Sequence, residues 1–116
     1  MRIASKTEGK VMVLEIHGRV VGDASLELRR EINGWIAEIP EDEKPNVIMN
    51  LSKVSMMDSS GLGVLVSSYT SIQRREGRLV LSGLGKGLQN LIAITKLTRV
   101  FDIYEDDEEA LASFKE

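Results

Sequence analysis

The sequence predicts an α/β fold, a mixed sheet of four or five strands with about four helices packed against it. Near the N-terminus, apolar side chains alternate with a period of two, which is typical of strands. Later segments carry apolar stripes at three- and four-residue spacings, which are typical of helices. Strand and helix patterns alternate in the second half of the chain, so the strands there should run parallel. A length of 116 residues predicts a single domain over 1–116.

An antiparallel hairpin opens the predicted sheet. A turn at Glu8-Gly9-Lys10 separates a first strand near 2–6 from a second over 11–16. The second strand alternates, as a strand does, so that one face takes Met12, Leu14 and Ile16 and the other takes Val11, Val13 and Glu15.

Further strands are predicted along the rest of the chain. The segment 47–51 is mostly apolar and is flanked by turn signals, which is typical of a central strand covered on both faces. A strand is predicted at 78–82, and a short edge strand near 100–103. Because these strands are separated by helical patterns, they form the parallel part of the sheet.

Four helices are predicted, near 24–39, 60–76, 86–97 and 107–115. Asp23 is the candidate N-cap of the first helix, and Glu76-Gly77 should end the second. The acidic run 105–109 stands where its charges favour the positive end of the last helix dipole. The apolar stripe of the third helix is predicted on Leu88, Leu91, Ile92 and Thr95.

Composition narrows the class of function. A net charge of −3 and an aromatic content of 4% supply neither a basic stripe nor a stacking platform, so we expect a protein partner and no nucleic acid. No apolar run approaches the roughly 20 residues of a membrane span, and the N-terminus lacks the apolar stretch of a signal peptide. We therefore expect no membrane association and a cytoplasmic location. The absence of cysteine excludes disulfides and thiolate metal sites.

Catalytic patterns are almost absent. His17 is the only histidine, with no cysteine or second histidine to share a metal or a nucleophile's proton. A small hydrolase using Ser59, His17 and a carboxylate is one hypothesis, but Asp58-Ser59-Ser60-Gly61 lacks the glycine that precedes the serine of a nucleophile elbow. The glycines of 83–87 lack phosphate-loop spacing and favour a turn over a nucleotide site. We expect no enzymatic activity, no metal and no cofactor.

The segment 56–63 is the strongest functional candidate. It lies where a buried strand ends and a helix begins, a position at which parallel sheets often present functional groups. Asp58, Ser59 and Ser60 can all cap the helix, and capping alone would explain them. One cap is enough, however, and Gly61 and Gly63 leave the turn open to a partner. From spacing alone, capping and partner binding are equally favoured.

An octapeptide in this segment resembles a family signature. It follows the predicted strand 47–51 and reads Asp58-Ser59-Ser60-Gly61-Leu62-Gly63-Val64-Leu65. In this setting it resembles the signature of anti-sigma factor antagonists, the bacterial members of the STAS-domain family. The predicted order of elements over the whole chain is similar to that of the family, and implies a STAS-like fold.

The resemblance also implies a partner-switching mechanism. An unphosphorylated antagonist binds an anti-sigma factor that is also a serine kinase, and the sigma factor is released. The kinase then phosphorylates the first hydroxyl residue after the aspartate, which is Ser59 here, and a metal-dependent serine phosphatase removes the phosphate. The residues implied in the contact surface are Asp58, Ser60, Gly61 and Leu62.

One position departs from the family pattern. In the family, an aspartate commonly follows the Gly-x-Leu/Val near the first helix, whereas Val21 follows Gly18-Arg19-Val20 here. Asp23, two residues later, is the candidate replacement that would face the kinase site. If Asp23 does not serve, the alternative is a STAS module that binds without being phosphorylated, as a scaffold or sensory subunit of a signalling complex.

Overall fold

Strands and helices alternate along the chain in the computed structural model, which describes residues 1–115. The strands are β1 (Arg2–Glu8), β2 (Val11–Val20), β3 (Asn46–Met57), β4 (Arg78–Ser82) and β5 (Asp102–Tyr104). The helices are α1 (Asp23–Glu38), α2 (Ser59–Arg74), α3 (Lys86–Ile94) and α4 (Asp107–Ala112), with a 3-10 helix at Leu97–Arg99. Within the described part of the chain, no helix is long and apolar enough to cross a membrane.

The five strands lie in the sheet in the order in which they occur along the chain. β1 pairs with β2 antiparallel, and the other neighbouring pairs are parallel. The predicted mixed sheet and its N-terminal hairpin are therefore confirmed. Right-handed crossovers between consecutive parallel strands put the connecting helices on the same face, which is where α1, α2 and α3 pack.

The core has two parts, one on each face of the sheet. The larger part joins the sheet to α1, α2 and α3 through residues such as Leu14, Leu28, Met49 and Leu65. The smaller part joins the other face to α4 and consists of Val11, Val13, Ile48, Val80 and Ala110. Within each of the strands β2 and β3, successive residues thus point to opposite faces of the sheet, as the period of a strand requires.

Both central strands are longer than predicted. β3 continues six residues beyond the predicted end at 51, and β2 continues to Val20. Parallel pairing joins the two extensions, with Gly18 opposite Val54 after one shift in register and Val20 opposite Met57 after a second. The extension of β3 is mostly exposed and therefore lacks the apolar pattern that predicted the strand. The extension brings the end of β3 beside the start of α1.

The predicted N-cap of α1 is wrong. Asp23 is the first helical residue and its side chain makes no capping hydrogen bond, whereas Gly22 occupies the N-cap position with φ 55°. A positive φ of this kind is accessible to glycine at little cost, and it turns the chain from β2 into the helix.

The third and fourth helices end earlier than predicted, at Ile94 and Ala112. Thr95, predicted on the apolar stripe of α3, is exposed, and its hydroxyl donates to the carbonyl of Leu91 at 2.8 Å. Because the Thr95 hydroxyl is satisfied by the preceding turn of the helix, Thr95 does not have to pack against the core. Helical spacing alone therefore predicted an α3 that is too long.

Candidate functional site

The candidate site lies at the carboxyl end of β3, a central strand between β2 and β4. β3 ends at Met57 and α2 begins at Ser59, so that Asp58 alone separates them. Asp58 has an extended backbone and is the N-cap of α2. The chain therefore passes from sheet to helix within one residue. This places the hydroxyl groups of Ser59 and Ser60 at the start of α2, beside the end of the sheet.

The Asp58 carboxylate uses both of its oxygens. Oδ1 accepts hydrogen bonds from the backbone N–H groups of Ser60 at 3.0 Å and Gly61 at 3.2 Å, and from the Ser60 hydroxyl at 2.5 Å. Oδ2 accepts from the backbone N–H of Gly22 at 3.1 Å. The Ser60 hydroxyl bond and the N–H groups of Gly22 and Gly61 lower the pKa of the Asp58 carboxyl below its usual range. Asp58 is thus a fixed negative charge at neutral pH.

The two serines of the site differ in their hydrogen bonding. Both Ser59 and Ser60 are exposed. The Ser60 hydroxyl donates to Asp58, whereas the Ser59 hydroxyl has no hydrogen-bond partner within residues 1–115. Ser59 also lies in the first turn of α2, where an anion is favoured by the helix dipole. Of the two hydroxyl groups, only that of Ser59 is free of hydrogen bonds within the described residues.

Gly61 and Leu62 lie beneath this surface. Leu62 is 4% exposed and belongs to the larger core cluster, and Gly61 is buried. A Cβ atom on Gly61 would lie 2.8 Å from the carbonyl oxygen of Val20 and 3.0 Å from its Cγ1. Of the residues implied in the contact surface, Ser60 is therefore exposed and Asp58 is half-buried, whereas Gly61 and Leu62 are buried. Gly61 lets α2 approach β2 closely.

Replacing Gly61 by alanine should lower the free energy of unfolding by about 1–3 kcal/mol, because the added methyl group overpacks the contact with Val20. Gly63 provides a matched control in the same helix, since a Cβ there meets nothing within 4 Å. Gly63→Ala should instead stabilise the protein by up to about 1 kcal/mol. Denaturant unfolding of both variants measures the difference, and equal stabilities would contradict the close approach at Gly61.

The turn between β2 and α1 leads to Asp23, the remaining residue that was predicted to face the kinase. Asp23 is exposed and follows Gly22, whose N–H is bonded to Asp58. The structure thus brings the backbone of this turn to the start of α2. Val21 is half-buried in the same turn.

One residue of the site was missed by sequence reasoning: Gly22 supplies an N–H group to Asp58. Met56, the first residue of the predicted segment 56–63, is 52% exposed on β3. Met57 packs against the core, so alternation along a longer β3 would have assigned Met56 to the exposed side. The contact of Gly22 joins residues 36 apart in sequence and has no local signal.

The hydrolase hypothesis finds no matching geometry. His17 Nε2 lies 2.6 Å from the carboxylate of Glu15, and the guanidinium of Arg2 lies 3.2 Å from Nδ1. Within the described residues, therefore, the histidine contacts Glu15 and Arg2 and makes no hydrogen bond to Ser59. A general base must reach the hydroxyl proton that it removes.

Comparisons with known proteins agree with this architecture. A family model described as the STAS domain matches residues 2–110. The anti-sigma-B factor antagonist of Listeria monocytogenes is 44% identical over 55 residues, which are 47% of this chain and 48% of that relative. The chain thus matches about half the length of this curated relative.

Solved structures extend the likeness to nearly the whole chain. An anti-sigma factor antagonist from Mycobacterium paratuberculosis has a TM-score of 0.86 at 21% identity, covering 99% of this chain and 94% of that one. The Bacillus cell fate determinant SpoIIAA in its phosphorylated form has a TM-score of 0.73 at 19% identity, covering 98% and 100%. These likenesses confirm the predicted fold.

Proposed function

The chain belongs to the STAS domain family, and we propose from this premise that it is an anti-sigma factor antagonist switched by phosphorylation of Ser59. The observation that carries the proposal is the exposed Ser59 hydroxyl, free of hydrogen bonds within residues 1–115, beside the fixed charge of Asp58. The unphosphorylated protein binds an anti-sigma factor that is a serine kinase, and the sigma factor is released. Curated relatives that carry the name of anti-sigma factor antagonist support this assignment.

The hydrogen bonds around Asp58 support Ser59 rather than Ser60 as the phosphoacceptor. To react at Ser60, a kinase's own base would first have to replace Asp58 as the acceptor of the Ser60 hydroxyl proton. The hydrogen bond to Asp58 has an ionised acceptor, and hydrogen bonds to charged groups are roughly twice as strong as neutral ones. Ser59 requires no such step.

The surface around Ser59 supports a protein partner. Met56 presents an apolar side chain on one side, and Asp23 presents a carboxylate on the turn next to Gly22. Aromatic and methionine side chains are enriched in protein interfaces, and charged groups beside them set the choice of partner. The partners in this proposal are the anti-sigma factor kinase and a serine phosphatase. The protein and both partners are placed in the cytoplasm.

A kinase assay tests the proposal. Incubated with a cognate anti-sigma factor kinase and ATP, the protein should gain a single phosphate, which mass spectrometry should assign to Ser59. Ser59→Ala should gain none, whereas Ser60→Ala should still be phosphorylated and serves as the matched control. Phosphate on Ser60 or elsewhere in the wild type would refute the assignment of the residue.

A second candidate function is favoured by Val21, which stands where the family commonly has an aspartate. In that case the protein is a scaffold or sensory subunit of a signalling complex and is not phosphorylated. A pull-down of partners before and after incubation with the kinase and ATP separates the two candidates. A scaffold should retain the same partners, and no phosphate should be found.

A further inference from the structure

Asp58 joins two elements that are far apart in sequence. Its Oδ1 holds the first turn of α2, and its Oδ2 holds the N–H of Gly22 in the turn between β2 and α1. We propose that Asp58 is a positioning residue which couples the phosphorylation state of Ser59 to the turn at Gly22. The proposal rests on the proposed function, because it takes Ser59 as the phosphoacceptor.

Apart from the bond to Asp58, the hydrogen bonds of Gly22 are local to the start of α1. Its φ of 55° and ψ of −127° are strained for any residue with a side chain, and a Cβ built on it meets nothing within 4 Å. On its α1 side, the Gly22 carbonyl accepts from the Ser25 hydroxyl at 2.7 Å and the Ser25 N–H at 3.0 Å. The Asp58 carboxylate is thus the contact that ties the Gly22 N–H to the start of α2, one residue before Asp23.

A phosphoryl group on Ser59 would act directly on this contact. It brings about −1.5 to −2 charges next to an ionised carboxylate. The N–H groups of Ser60 and Gly61, which a phosphate at a helix N-terminus would seek, are already bonded to Oδ1. Competition for these donors and repulsion between the anions both drive the carboxylate away from its present position. The exposed bond from the Gly22 N–H is then lost, and the turn is freer at Gly22 although the Asp58 N–H still donates to the Val20 carbonyl at 3.4 Å.

The Gly22 amide proton reports this change in nuclear magnetic resonance spectra. Full-length protein with phosphoserine incorporated at position 59 during translation is compared with unmodified protein, so no kinase is needed. In the phosphorylated protein, the Gly22 amide proton should shift upfield. Its exchange with solvent should accelerate about tenfold or more, as expected on losing a hydrogen bond to a charged acceptor. Gly9, which also has a positive φ but lies in the β1–β2 turn, is the internal control and should not change.

Asp58→Asn separates the coupling from helix capping. Asparagine keeps one acceptor oxygen, which is enough for an N-cap, but its second position is an NH₂ group that cannot accept from Gly22. The unmodified variant should therefore already show the shifted, fast-exchanging Gly22 amide, and phosphoserine at 59 should change it no further.

The outcomes distinguish this proposal from the proposed function. A Gly22 amide that is unchanged by phosphoserine in the wild type would overturn the coupling. A Gly22 amide that still responds to phosphoserine in Asp58→Asn would also overturn it. If affinity for the anti-sigma factor falls while the Gly22 amide is unchanged, the proposed function stands without the coupling. If the amide responds but the affinity is kept, the coupling stands and the proposed function fails.

Discussion

Replacing Leu65 by alanine should lower the free energy of unfolding by roughly 2–5 kcal/mol, the usual cost of truncating a buried leucine. Leu65 is 0% exposed and lies in the larger core cluster, between α2 and the sheet. The cost combines the lost burial of the side chain with the cavity that remains, since the surrounding strands and helices relax only in part. Denaturant unfolding at equilibrium measures the change through the transition midpoint.

Ser59→Ala is the matched comparison in the same helix. It should cost about 1 kcal/mol or less, because Asp58 is the N-cap of α2 and remains in place. The Ser59 side chain is exposed and makes no hydrogen bond within the described residues, so its removal leaves no buried group unsatisfied. If unfolding ranked these two variants in the opposite order, the assignment of the buried face of α2 would be wrong.

The sheet could be predicted from sequence wherever burial left a pattern. Leu14 and Val13 belong to different core clusters, and that alternation is visible in the residue types of β2. The end of β3 could not be predicted in the same way. The residues at this end of β3 are mostly exposed, and they are held in the sheet by backbone pairing with β2. Backbone hydrogen bonds do not require any particular side chain.

The candidate site was predictable in part, for a related reason. Asp58 and Ser59 are adjacent to each other and to the start of a helix, so local rules of capping identify them. The bond from Gly22 to Asp58 and the contact of Gly61 with Val20 depend on how the end of β2 meets α2. Such contacts follow from the tertiary arrangement and have no fixed spacing in the sequence. The positive φ of Gly22 likewise belongs to the tertiary arrangement, and it makes Gly22, not the predicted Asp23, the N-cap of α1.

Phosphorylation of Ser59 should weaken binding to the anti-sigma factor roughly 150-fold, which corresponds to about 3 kcal/mol. The phosphate adds about −1.5 to −2 charges beside ionised Asp58, and burying these neighbouring charges in an interface costs desolvation and strengthens their repulsion. The fold should be retained, since the first turn of a helix tolerates an anion. Titration calorimetry of the phosphorylated and unmodified proteins against the same anti-sigma factor measures the ratio of the dissociation constants.

Two variants at the same position separate charge from the loss of the hydroxyl. Ser59→Ala should bind the anti-sigma factor permanently, because the acceptor is removed and no charge is added. Ser59→Asp should bind more weakly than the wild type, although one carboxylate carries less charge than a phosphate and the effect should be partial. Suppose that Ser59→Asp binds like the wild type while phospho-Ser59 does not. That result would mean only that a carboxylate is a poor mimic of the phosphate. Phospho-Ser59 with full affinity would exclude electrostatic repulsion as the mechanism, because the charge would then be present at the interface without any cost.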